Sequence, residues 1–179
     1  MKARSGALLA AIMVACIAHT WAAVLPDACG DDRITFDVKT QKGVPAPAVP
    51  DAGRAQIVFI ENFSQNQGFC VGCEVTTRVG LDGAWVGANH GNSYFTYAVA
   101  PGQHHICVDW QSTLSRLRQK VGLASLNAEA GKVYYYEIKV RIRQYQTTVD
   151  YDLGLAPLSD DEARYLVKID ALATATAKQ

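Results

Sequence analysis

Beyond residue 23 the chain has no apolar run approaching the roughly 20 residues that a membrane-spanning helix needs, so no span is expected in a mature protein. It has no excess of either charge, 17 basic against 17 acidic side chains, which argues against the basic face that nucleic-acid phosphates require. Prolines number only six, and Pro45, Pro47 and Pro50 fall together in GVPAPAVPDAG, Gly43 to Gly53. Proline fixes φ and removes a donor, so this stretch is expected to be a linker or extended strap rather than an inner strand or helix. No serine sits in a G-x-S-x-G elbow, so Ser112, His90 and Asp109 do not make a convincing hydrolase triad.

The N-terminus is different. MKARSGALLAAIMVACIAHTWAA places Lys2 and Arg4 ahead of an apolar run from Ala7 to Ala18, followed by small residues, the pattern of a secretory signal peptide. Cleavage is expected after Ala22, giving a periplasmic or secreted chain of 157 residues (179 less 22). Loss of Lys2 and Arg4 leaves 15 basic against 17 acidic groups, a formal charge of −2. Cys16, preceded by Ala15, offers an alternative ending as an outer-membrane lipoprotein. At 49% apolar residues, the remainder is expected to form one domain with an ample core.

Period-two alternation recurs in short bursts separated by turn chemistry, which predicts an all-β fold, an antiparallel β-sandwich of about 7–8 short strands. Strands are expected near residues 55–61, 74–81, 84–88, 94–99, 103–110, 124–128, 132–143 and 147–155, with Asp82-Gly83 as a tight hairpin. In KVYYYEIKVRIR the face carrying Tyr134, Tyr136, Ile138, Val140 and Ile142 is expected to be core. Ser159, followed three residues later by Glu162, reads as the capping box of a short C-terminal helix, with a frayed tail after it. The expected organisation is a signal over 1–22, an N-terminal extension with a short strand and the proline-rich linker over 23–54, the sandwich over 55–158, and the helix and tail over 159–179.

The stretch GLDGAWVGANHGNSYFTYAVAPGQHHICVDWQS, Gly80 to Ser112, together with EAGKVYYYEI, Glu129 to Ile138, resembles a bacterial family catalogued as domain of unknown function 2846. The resemblance runs over roughly Ala55 to Leu155 and rests on turns and core strands. It implies a small exported or lipid-anchored β-sandwich of the accessory type, and it carries over no catalytic residue.

Four cysteines remain after the signal, an even number in an oxidising compartment, and two structural disulfides are the expected outcome. The first pairing is Cys29 with Cys107 and Cys70 with Cys73. Its rival joins Cys107 to one member of the Cys70/Cys73 pair and Cys29 to the other. Cys70 and Cys73, in GFCVGC, also have zinc-like spacing, and His105 shares a strand face with Cys107. A metal site of Cys70, Cys73, His105 and Cys107, or a thiol-redox pair, is therefore the alternative. The redox version lacks the helix that would begin at Cys70 and lower its pKa.

The basic loop Ser112 to Lys120, with Arg116, Arg118 and Lys120, could dock an acidic partner or anionic lipid, although such runs are usually just solvated. The balance of these readings is a non-enzymatic, exported cell-envelope module with no cofactor, whose partner is another envelope component.

Overall fold

The computed structural model describes residues 25–44, 50–51, 53–63, 75–112, 120–145 and 148–178. Ten strands and one helix fill them: β1 (Thr35–Gln41), β2 (Ala55–Glu61), β3 (Thr76–Leu81), β4 (Ala84–His90), β5 (Ser93–Val99), β6 (Gly102–Gln111), β7 (Val121–Ala128), β8 (Val133–Tyr145), β9 (Thr148–Pro157), α1 (Asp160–Ile169) and β10 (Ala171–Lys178). The strands form two facing sheets, one ordered β1-β10-β5-β2-β8-β9 and the other β4-β3-β6-β7. The chain is an all-β sandwich with a short C-terminal helix.

β2 shows why the pattern works. Its sequence AQIVFIE is apolar at almost every position, which suits a strand covered on both faces. Ile57 and Phe59 point between the sheets and join Val79, Ile106, Val108, Trp110 and Ile138 in the main core. Val58 and Ile60 point the other way, where Tyr94 and the helix residues Ala163, Leu166 and Val167 cover them. The helix is held in place by its own chemistry. Ser159 caps it by accepting from Glu162 N–H at 3.4 Å, and Asp160, Asp161 and Glu162 lie where the helix dipole favours negative charge.

The Asp82-Gly83 hairpin forms as its sequence requires, with φ of 51° and 88°, both positive, as a two-residue turn of this hand needs. In β8, Tyr136, Ile138 and Val140 are buried in the main core and Tyr134 is half-buried. The Tyr136 hydroxyl donates to Ser125 C=O at 3.3 Å and the Tyr134 hydroxyl to Asn127 C=O at 3.4 Å, so β8 covers edge carbonyls of β7 in the opposite sheet. That edge is thereby less open to pairing with another chain.

Three expectations change. The sandwich is mostly but not wholly antiparallel: β2 runs parallel to β8 and β10 runs parallel to β5. The segment after the helix is not frayed, because Ala171–Lys178 forms β10 and pairs with β1 along seven residues, Thr35 opposite Lys178 to Gln41 opposite Leu172. The N-terminal strand is accordingly built into the larger sheet instead of lying outside the domain.

Candidate functional site

The outer face of the smaller sheet is crossed by the N-terminal segment from Asp27 to Ile34. Alternation along β3 and β6 sends Val79, Ile106, Val108 and Trp110 inward and leaves Arg78, Gly80, Cys107, Asp109 and Gln111 on the opposite side. On that side a disulfide joins Cys29 to Cys107, with Cα atoms 5.2 Å apart at a sequence separation of 78. It is the first of the two expected pairings. The strap packs closely: a Cβ on Gly80 would lie 2.9 Å from Ala28 O and 3.0 Å from Cys29 Cα, so only glycine leaves the strap room here.

Side chains of the sheet then hold the strap by its backbone. Trp85 Nε1 donates to Asp31 C=O at 2.8 Å, and Arg78 Nη1 donates to Ile34 C=O at 2.6 Å and to Asp32 C=O at 3.1 Å. Arg78 is 3% exposed and pairs with Asp109, 1% exposed, while its guanidinium lies 4.4 Å from the centre of the Trp85 ring. A buried charge of this kind is tolerated only when paired and hydrogen-bonded, and the strap's carbonyls and the Asp32 carboxylate, 3.3 Å from Nη2, add to the pairing with Asp109. Asp31 caps the turn by accepting from Arg33 N–H at 2.9 Å and Nη2 at 2.5 Å. The Arg33 side-chain bonds hold the Asp31 carboxyl at about 2.

Beside the strap lies an open groove of about 560 Å³, lined by Pro26, Asp27, Ala28, Asp82, His105, Ile106, Leu123 and Ala124. Leu123 is 55% exposed there. One rim is preorganised: Asp82 accepts from His105 N–H at 2.8 Å and lies 2.6 Å from His104 Nδ1, while His104 Nε2 is 2.8 Å from Ala100 O. Burial works to raise the Asp82 carboxyl, but the His105 N–H and His104 outweigh it and the group ends below its ordinary value. Burial works to lower His104, and the bonds to Asp82 and Ala100 outweigh it and raise it.

A second buried polar spot lies inside the sandwich. Glu61, at the end of β2, is fully buried and accepts from the Thr77 hydroxyl at 2.5 Å. Burial pushes its carboxyl up to about 8, against the opposing pull of Thr77. Asn89 stands opposite Thr77 in the β3–β4 pairing and donates to Phe59 C=O at 3.3 Å. Across the larger sheet, Asn62 donates to Asp170 at 2.6 Å, and burial raises the Asp170 carboxyl.

Cys70 and Cys73 lie outside the described residues, so the second expected disulfide and the GFCVGC half of the metal alternative do too. His105 does share the outer face of β6 with Cys107, but the Cys107 sulfur is bonded to Cys29 and cannot act as a thiolate ligand. No cluster of three or more His, Cys, Asp or Glu suited to a metal occurs among the described residues. Asp109 is engaged by Arg78 and His90 Nδ1 lies 3.3 Å from Thr76 Oγ1. Arg116 and Arg118 of the basic loop fall outside the described residues, whereas Lys120 pairs with Asp150 at 3.0 Å.

Sequence reasoning missed Arg78, Gln111 and Glu61. Their alternation along the strands was visible, but an outward arginine reads as solvated until the strap above it is known. No protein-family model, no curated protein and no solved structure matches the chain.

Proposed function

We propose that the chain is an exported, non-enzymatic β-sandwich that binds a component of the cell envelope through the groove beside the strap. The observation that carries this reading is the groove itself: a concave, largely apolar surface with an exposed leucine and two carboxylates, fixed at one wall by a buried disulfide. A large side chain left in water at the mouth of a rigid groove is a feature of binding surfaces. Among the described residues, Asp109 is engaged by Arg78 and His90 lies against Thr76. The signal-like N-terminus and the disulfide both suit an oxidising compartment outside the cytoplasm.

The test is a photo-crosslinking residue at position 123 in the exported protein. The reading expects a discrete crosslinked envelope component that is absent when the same residue is placed at Tyr165, an exposed position on the helix. Equal crosslinking from both positions, or none from position 123, contradicts it.

A further inference from the structure

The groove's chemistry is one-sided. Its apolar lining comes from Pro26, Ala28, Ile106, Leu123 and Ala124, and its charged side chains are the carboxylates of Asp27 and Asp82. Among the described residues no lysine or arginine lines it, and His105 is the one basic group. Asp27 is exposed and forms no ion pair among the described residues. Asp82 is fixed in place by the His105 N–H and His104.

We propose that the groove takes a short peptide segment of a partner protein that presents an aliphatic side chain next to a lysine or arginine. The inference rests on the binding role proposed above and specifies its ligand. The aliphatic group would cover Leu123, removing exposed apolar surface from water, and the cation would sit between Asp27 and Asp82. An anionic segment would be repelled by the exposed Asp27 carboxylate, and a neutral polar one would face an apolar floor.

The experiment titrates the full exported protein with two blocked hexapeptides, Gly-Leu-Lys-Leu-Lys-Gly and Gly-Leu-Glu-Leu-Glu-Gly, followed by fluorescence anisotropy. The lysine peptide is expected to bind, more weakly as salt rises, and the glutamate peptide to show no saturation. Asp27→Lys and Leu123→Ser, both at exposed positions, should each weaken the lysine peptide about fivefold or more while leaving the thermal midpoint unchanged. Equal binding of both peptides, no binding of the lysine peptide, or full affinity in both variants overturns the proposal. Crosslinking from position 123 separates the two claims. If it persists while the peptide fails, the ligand class is wrong and the binding role stands; if both fail, the role falls as well.

Discussion

Gln111 treats Phe36 as a neighbouring strand would: its Oε1 accepts from Phe36 N–H at 2.5 Å and its Nε2 donates to Phe36 C=O at 3.0 Å. Gln111 ends β6 in the smaller sheet and Phe36 is the second residue of β1 in the larger one. The side-chain amide thus passes the N-terminal chain from the outer face of one sheet to the edge of the other. Replacing it by alanine leaves both Phe36 backbone groups without this partner. Gln111→Ala is expected to cost about 1–3 kcal/mol in urea unfolding.

The disulfide ties the same segment at its other end. Cys29→Ser should lower stability by about 2–4 kcal/mol, the range for bonds that close long loops. Dithiothreitol in denaturant should bring the wild-type protein down toward the variant and leave the variant's Cys29–Cys107 contribution, already lost, unaffected. Denaturant titration of both proteins with and without reductant reads the difference.

Beneath the strap, Arg78 and Asp109 are a buried pair, and removing one partner strands the other. Arg78→Ala is expected to destabilise by about 3–5 kcal/mol. The double change Arg78→Met with Asp109→Leu should recover part of that loss, because it removes both charges together, whereas the strap's carbonyls still lose their donor. A double-mutant cycle in chemical unfolding measures the coupling.

Glu61 gives the fold a pH dependence of definite sign. Its carboxyl in the folded protein titrates near 8, above its ordinary value of 4.5. The folded protein therefore keeps a proton that the unfolded chain releases. Stability from this group is fully present below the ordinary value, declines as the pH rises toward 8, and is lost above it. Glu61→Gln removes the ionisation, so the stability difference between variant and wild type should shift steadily in the variant's favour between about pH 4.5 and pH 8 and then level off.

Gly122 and Gly154 bring the β7 and β9 edges together on the side where the sandwich nearly closes. A Cβ on Gly122 would lie 2.7 Å from Val108 Cγ2 and 2.8 Å from Gly154 Cα, whereas one on Gly154 would meet nothing within 4 Å. Gly122→Ala should cost about 1–3 kcal/mol and Gly154→Ala less than about 0.5 kcal/mol, as read from thermal midpoints.

How much of this was legible depended on how local its cause is. β2 was readable to the residue because its apolar run and flanking turns are contiguous, and the Asp82-Gly83 hairpin and the Ser159 cap each depend on residues a few positions apart. β10 was not, because ALATATAK alternates alanine with threonine, side chains too small to announce a buried strand, and its main partner lies at the far end of the chain. The parallel pairing of β2 with β8 was hidden for another reason: strand periodicity reads the same whichever direction a strand runs. Of the candidate site, the Cys29–Cys107 bond could be anticipated from cysteine count and placement. The groove could not, since Pro26, Asp82 and Leu123 come together only once the strap is laid across the sheet.

The account depends most on that strap being held to the outer face of the smaller sheet. Peptide mapping of unreduced protein by mass spectrometry tests it directly. A peptide containing Cys29 linked to one containing Cys107 is the predicted result; Cys107 linked to Cys70 or Cys73, or recovered as a free thiol, would contradict it.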